Sequence, residues 1–302
     1  MRVAAIDIGS NAIRMQVCSL IRYNGKDAVK SVEYLRFPLR LGQDVFRGGS
    51  ILPPTEKKFM KLMQAFRILL DLYEVSSFRA CATSAFRDAA NGQEIALKVN
   101  EVFGIGIEIL SGAEEAALLS SALIKSLDDA SYLHIDVGGG STELNLYMNR
   151  TKLSSASFNL GSVRLLSRSS SASEWLSMEN WLRSQLKPDH QPLTAIGTGG
   201  NIAKLYDLYP GKKKKIKYLT LSELQSVHLM ISRMSVEERI HQLLLNPDRA
   251  DVIAPASEIY LQTMHLSGAR KMLIPELGLK DGIIESLYQN LRDSIPSYPA
   301  PI

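Results

Sequence analysis

Carboxylates and glycines are the residues of this chain whose spacing suggests chemistry. In Asp136-Val137-Gly138-Gly139-Gly140-Ser141-Thr142-Glu143, two carboxylates bracket three consecutive glycines. Backbone that lacks Cβ atoms lets N–H groups approach an anion, and paired carboxylates suit a hard cation. Phosphate with its metal ion is the cargo such a stretch fits. A smaller version opens the chain, where Asp7-Ile8-Gly9-Ser10-Asn11 again sets a glycine two residues after an aspartate. A third glycine turn, Gly197-Thr198-Gly199-Gly200-Asn201, has no aspartate at its head. Further along, Ser111 stands three residues before Glu114 at the start of an apolar-periodic run, a capping-box pattern that explains Glu114 structurally. Glu115 has no such explanation. It is either a solvated acid favoured by the helix dipole or a side chain that projects forward to a ligand.

The elements that must position these residues are readable from periodicity. Val3–Ile6 and Tyr132–Ile135 are apolar runs that read as strands ending at Asp7 and Asp136. After the turns, Ile13, Met15 and Val17 alternate with Arg14, Gln16 and Cys18, the period of a half-buried strand, and Leu144–Met148 also alternate, so a strand follows each turn. Strand–turn–strand therefore occurs twice, which predicts an α/β chain of two similar halves facing each other across a cleft. Ala28–Leu41 reads as further strand ending in a glycine-rich loop over 42–50. Pro54–Tyr73 carries the pattern of a long amphipathic helix, and Ser77–Ala82 that of a strand. Thr83–Arg87 reads as a short helix whose N-terminus offers hydroxyls and N–H groups. Asn159–Arg164 reads as another turn bearing a basic residue.

No Gly-Lys-Ser/Thr occurs, so a P-loop is excluded, and a strand rather than a helix follows the first two turns, so a Rossmann fingerprint is excluded too. What remains is similar to the duplicated phosphate clamp of actin, sugar kinases and Hsp70, the actin-like ATPase (ribonuclease H-like) superfold. The expected domains are residues 1–125, joined by a C-terminal helix at about 283–302, and residues 126–282.

A narrower resemblance rests on segments quoted as they stand: Ala5–Asn11, Ala82-Thr83-Ser84-Ala85-Phe86-Arg87, Ile109–Ala116, Ile135–Glu143, Gly161-Ser162-Val163-Arg164, Gly197–Gly200 and Arg249–Ile253. In this order they resemble the exopolyphosphatase/guanosine pentaphosphate phosphohydrolase (Ppx/GppA) family from Val3 to about Leu287. The resemblance implies a hydrolase that removes terminal phosphate from a phosphoanhydride, with Glu115 as the base that polarises the attacking water. It implies Mg²⁺, or another divalent cation, held by Asp136 and Glu143, with Asp7 as the mirrored contact. Gly9, Ser10, Asn11 and Gly138, Gly139, Gly140, Ser141 and Thr142 would hydrogen-bond the phosphoryl group, and Arg87 would neutralise its charge. Thr83, Ser84, Arg164, Gly199, Gly200 and Lys204 are further substrate contacts on the same argument. The implied substrates are polyphosphate and guanosine pentaphosphate or tetraphosphate, and a homodimer is the expected assembly. The rival readings are a regulatory protein that binds these nucleotides with weak turnover, and a small-molecule kinase of the same superfold.

The sequence departs from the family pattern at Ala12, at Asn201 and in Gly278-Leu279-Lys280-Asp281-Gly282. Those changes bear on substrate preference. The helical C-terminal modules of longer members are not expected, which marks a short form.

Composition agrees with an ordinary globular chain: 302 residues, 45% hydrophobic, with mean hydropathy −0.02. A net charge of +4 is too mild for a nucleic-acid binder but suits a polyanionic small substrate. No apolar run reaches membrane-span length, and Met1–Ala4 enters a strand rather than a signal peptide, so a cytoplasmic protein is expected. Cys18 and Cys81 sit in apolar segments and read as buried reduced thiols. Lys212, Lys213, Lys214, Lys215 and Lys217 form a charge run in a loop, either simply solvated or an attractor of long polyanions.

Overall fold

Apolar runs and alternating stretches become strands as follows. The first unit contains β1 (Arg2–Ile8), β2 (Ile13–Tyr23), β3 (Lys26–Phe37), β4 (Ser77–Ala82) and β5 (Ile107–Ile109). The second contains β6 (Ser131–Val137), β7 (Thr142–Met148), β8 (Thr151–Phe158), β9 (Leu193–Thr198), β10 (Tyr218–Thr220) and β11 (Lys271–Leu273). β12 (Ser297–Tyr298) returns to the first sheet beside β2. The computed structural model describes residues 1–167, 172–211, 216–295 and 297–298, so Lys212–Lys215 lie outside the described residues.

The chain divides into one unit of Met1–Ala122 with Leu279–Ile302 and another of Leu123–Gly278. The sequence-based boundaries, after 125 and after 282, fall a few residues later. In the first sheet the strand order is β3-β2-β1-β4-β5, antiparallel through β3, β2 and β1 and parallel from β1 to β4 to β5. In the second it is β8-β7-β6-β9-β11-β10, antiparallel through β8, β7 and β6 and parallel from β6 to β9 to β11. The repeat seen in two aspartate–glycine turns thus extends to whole sheets: β1 corresponds to β6, β2 to β7, β3 to β8 and β4 to β9.

The central strands β1 and β6 are buried on both faces, which is why they read as continuous apolar runs rather than alternating ones. β2 was expected to be half-buried and is covered on both sides. Cys18 and Leu20 pack with Ile283, Ile284 and Leu287 of the helix Leu279–Leu291, which comes from the far end of the chain. A cover supplied from so distant a segment leaves no local sequence signal. In the second unit one apolar cluster joins β6, β7 and β9 to the helices Gly200–Leu208, Leu221–Ser232 and Ile253–Ser267, and a smaller one gathers Tyr132, Tyr147 and Ile196 with Leu123 and Leu127.

Two loop readings are corrected. Within the expected loop over 42–50, Leu41–Gly48 is a helix that buries Leu41, Val45 and Phe46. The Arg40 and Gly42 N–H groups donate to the Asn11 and Ser10 carbonyls, so this helix starts on the first glycine turn. Its glycines masked a short apolar stripe. Likewise, the expected turn Asn159–Arg164 passes into the helix Ser162–Leu166. Among the described residues no helix is long and apolar enough to cross a membrane.

Candidate active site

Each aspartate–glycine turn is closed by the same backbone hydrogen bond. Gly138 N–H donates to Ser141 O at 2.9 Å, and Gly9 N–H donates to Ala12 O at 3.2 Å. The strand registers then place one residue opposite each aspartate. Asp136 faces Glu143 across β6 and β7, whereas Asp7 faces Arg14 across β1 and β2. That single difference makes the two turns electrostatically unlike. Arg14 Nη1 sits 2.8 Å from Asp7 Oδ2, so the first aspartate already has a fixed cation. The second turn instead concentrates two carboxylates.

The second turn is braced from behind. Ser162 N–H donates to Gly138 O, and Val163 and Arg164 N–H groups both donate to Gly139 O, at 2.8 to 3.0 Å. Arg164 Nε adds a bond of 2.7 Å to Gly140 O. This close approach requires Gly161, because a Cβ there would lie 2.4 Å from Gly139 O and 2.4 Å from the Gly140 carbonyl carbon. Arg164, expected to contact substrate, is therefore a brace of the turn through its Nε.

The hydroxyls of this turn, expected to bond phosphate, face inward and have protein partners. Thr142 is fully buried and donates to Leu160 O at 2.5 Å. Ser141 donates to Glu143 Oε1 at 2.7 Å, and Ser157 reaches the same oxygen at 2.9 Å. Register is the reason: β7 begins at Thr142, so successive side chains take opposite faces of a sheet that is covered on both. The backbone of Gly138–Gly140, unshielded by Cβ atoms, is the part of the turn with anion-binding chemistry.

The third glycine turn closes on the same aspartate. Gly199 adopts φ +94°, and a Cβ on it would lie 3.1 Å from Asp136 Oδ1. Tyr260, fully buried, donates to Thr198 O at 2.7 Å and accepts the Val137 N–H at 3.4 Å, joining β6 to β9 beside both turns. Burial raises the Tyr260 pKa well above its usual value, and the Asp136 and Glu143 charges push the same way. The phenol is a neutral donor. Beneath it, His134 bridges Thr198 at 2.8 Å and Asn145 at 3.0 Å, and burial lowers its pKa to about 3, so the imidazole is neutral. A side chain on Gly200 would meet the Arg249 guanidinium at 3.1 Å, which puts a cation at this turn; Lys204 is half-buried one helical turn further on.

In the first unit, Ser10 and Ser84 share a hydrogen bond of 2.8 Å, and Thr83 is buried beside Ser84. The Ser111–Glu114 capping box forms as expected: Ser111 N–H and hydroxyl donate to Glu114 Oε2 at 2.8 and 2.7 Å, and Glu114 N–H donates to Ser111 Oγ at 3.3 Å. Those donors hold the Glu114 carboxyl below its usual pKa. Glu115 is the half-buried neighbour, its side chain only 12% exposed. Arg87 Nη1 donates to Leu110 O at 2.7 Å and stands 3.9 Å from Glu115 Oε2. Arg87 therefore braces the segment that delivers Glu115.

Among the described residues, no group of three or more His, Cys, Asp or Glu converges into a metal cage. Asp136 and Glu143 nonetheless fit Mg²⁺, which is held through one or two carboxylates and keeps several waters. Asp7, paired with Arg14, fits less well. Sequence reasoning missed Arg14, Tyr260 and Arg249 as parts of the site. Arg14 reads as the polar phase of an alternating strand, Tyr260 belongs to no motif, and Arg249 carries only its place in a family segment. A cavity of about 530 Å³ lined by Met1, Arg2, Ser19, Leu20, Ile21, Glu74 and Ser76 lies at the start of β1, away from Asp7 at its far end.

Two duplicated sheets, each with a glycine turn behind an aspartate, define a protein of the actin-like ATPase fold. The chain belongs to the Ppx/GppA phosphatase family, which it matches over residues 21–291. It is 27% identical to exopolyphosphatase 2 of Mycobacterium tuberculosis, over 95% of this chain and 98% of that one. It is 26% identical to the bifunctional 3-dehydroquinate synthase/phosphatase of Fusobacterium nucleatum, over 90% of this chain but only 44% of that relative's length. Among solved structures, the Aquifex aeolicus family member superimposes with a TM-score of 0.74 at 25% identity, covering 98% of this chain and 99% of that one. An exopolyphosphatase from Cytophaga hutchinsonii gives 0.81 at 22% identity with the same coverages, a likeness of fold.

Proposed function

We propose that this chain is a metal-assisted phosphohydrolase that releases terminal orthophosphate from inorganic polyphosphate, with guanosine pentaphosphate as the second candidate substrate. The observation that carries the reading is the Asp136–Glu143 pair across a glycine turn, in a chain of the Ppx/GppA family. The resemblance to an exopolyphosphatase along nearly its whole length favours polyphosphate.

In this reading the Gly138–Gly140 backbone binds the terminal phosphoryl oxygens, and Asp136 and Glu143 would hold Mg²⁺. The ion, when bound, neutralises charge that builds on those oxygens. Glu115 accepts a proton from the attacking water, and Arg87 with the Ser111–Glu114 box fixes where its helix starts. Arg249 adds positive charge at the third turn. Phosphoryl transfer of this type needs positioning and electrostatics more than covalent chemistry, which suits a site of braced turns and carboxylates.

The test is orthophosphate release from polyphosphate, guanosine pentaphosphate and ATP, with Mg²⁺ and with chelator. The reading predicts release from polyphosphate that stops when the metal is removed. Tight guanosine tetraphosphate binding without any hydrolysis would replace it with a regulatory role, and phosphorylation of a small acceptor by ATP would replace it with a kinase.

A further inference from the structure

β3 is the outer strand of the first sheet. It pairs with β2 along one side, and no other strand among the described residues lies along its second side. Val29, Val32, Tyr34, Leu35 and Phe37 are each between 37% and 45% exposed on it. The duplicated counterpart, β8, serves as an internal comparison. It has 8 residues against 12, and its exposed positions are Thr151, Leu153, Ser155 and Ser157. A long edge rich in exposed apolar side chains is a template for another strand, and proteins usually blunt such edges. The duplication kept one edge short and left the other long, with exposed apolar residues interleaved with Lys26, Lys30, Glu33 and Arg36.

The sequence of β3 says which strand would fit. Against β2, Val17 pairs with Glu33 and Cys18 with Ser31, so Val32 is the extra residue of a β-bulge. The bulge shifts the alternation of faces. Lys30 and Glu33 are registered with Ser19 and Val17 and therefore share one face, as do Ala28 and Leu35, registered with Ile21 and Met15. Val29 and Tyr34, registered with Leu20 and Gln16, share the other face, as do Asp27 and Arg36, registered with Arg22 and Arg14. When two copies of a strand pair antiparallel about a two-fold axis normal to the sheet, opposed residues must share a face. With its bulge, β3 meets that condition for Lys30 against Glu33, Val29 against Tyr34, Ala28 against Leu35 and Asp27 against Arg36. Opposite charges meet opposite charges, apolar meets apolar, and no like charges are opposed. Sliding the pair by two residues either way keeps the faces but opposes no opposite charges.

We propose that β3 is the dimer interface of this protein: a second copy adds its own β3 antiparallel, continuing the sheet, with Lys30 facing the partner's Glu33 twice across the axis. Asp27 is already held by Nε and Nη2 of Arg22, at 2.6 and 2.9 Å, and by the Tyr288 hydroxyl, so the Lys30–Glu33 pairs set the register. Glu33 accepts from the Tyr73 hydroxyl at 3.1 Å, which orients its carboxylate without supplying a counter-charge.

Sedimentation velocity over a concentration series tests this, with circular dichroism as the check on folding. Wild type is expected to sediment as a dimer. Lys30→Glu sets a carboxylate against the Glu33 carboxylate twice across the axis and should weaken the dimer by about tenfold or more. The charge swap Lys30→Glu with Glu33→Lys restores both pairs and should restore the dimer. A monomeric wild type, a dimer indifferent to Lys30→Glu, or a folded double variant that stays monomeric would each overturn the proposal. Amide hydrogen exchange on wild type gives a check free of variants: residues 28–35 should be protected at high concentration and exchange faster on dilution. Equal exchange at both concentrations would count against β3 as the interface.

Discussion

Gly161→Ala tests whether the Gly138–Gly140 backbone binds the reacting phosphate. Its Cβ would lie 2.4 to 2.5 Å from three backbone atoms of Gly139 and Gly140, about an ångström inside the ~3.5 Å of ordinary contact. Backbone cannot rotate away as a side chain can, so the turn must move off the helix Ser162–Leu166. Such a shift loosens the three bonds from Ser162, Val163 and Arg164 N–H groups, each worth about 1 kcal/mol. Overpacking by itself costs about 1–3 kcal/mol. The strain falls on one turn, so the sheet should stay folded while the cradle is displaced. A misplacement of about 1 Å at a binding group can lower turnover on the order of 100-fold. Steady-state orthophosphate release should therefore fall by about that factor, while urea unfolding moves by only a few kcal/mol. A Gly161→Ala protein with wild-type kcat/KM would refute the assignment of this turn to phosphate.

Other consequences are independent of that turn. A Cβ on Gly282 would stand 2.2 Å from Leu118 O, where the helix Leu279–Leu291 crosses the helix Gly112–Leu123 that carries Glu115. Gly282→Ala should lower stability by about 2–3 kcal/mol, read as an earlier urea midpoint; an unchanged midpoint would contradict the packing. Burial raises the Cys18 thiol and pushes Cys81 up to about 12, so neither thiol should react with a disulfide reagent at pH 8 until the protein is denatured. Fast labelling of the native protein would show one of them to be accessible.

What was legible in the sequence is what depends on local pattern. The strands expected to end at Asp7 and Asp136, the glycine turns after them and the Ser111–Glu114 box are fixed within a few residues of chain, and each forms at its expected place, the strands running one residue further to Ile8 and Val137. The repeat of those turns extended correctly to the two sheets. What was hidden depends on partners distant in sequence. The second face of β2 is covered by a helix more than 250 residues later. Tyr260 belongs to no sequence motif, and its role follows only from the β6 and β9 backbone atoms around its hydroxyl. The inward hydroxyls of Ser141 and Thr142 follow from the start of β7, a boundary that composition does not fix to the residue. Arg14 was visible in the sequence, and its meaning came only with the register that set it opposite Asp7 as Glu143 is set opposite Asp136.

In the proposed reaction Glu115 activates water for attack on a terminal phosphoryl group. The decisive comparison is single-turnover orthophosphate release from polyphosphate by wild type and Glu115→Gln at saturating Mg²⁺. The amide keeps the size of the side chain and removes its proton acceptor. A base at this position predicts a loss of about 10²–10⁴-fold in the chemical step with metal-dependent polyphosphate binding retained. Equal single-turnover rates in the two proteins would contradict it.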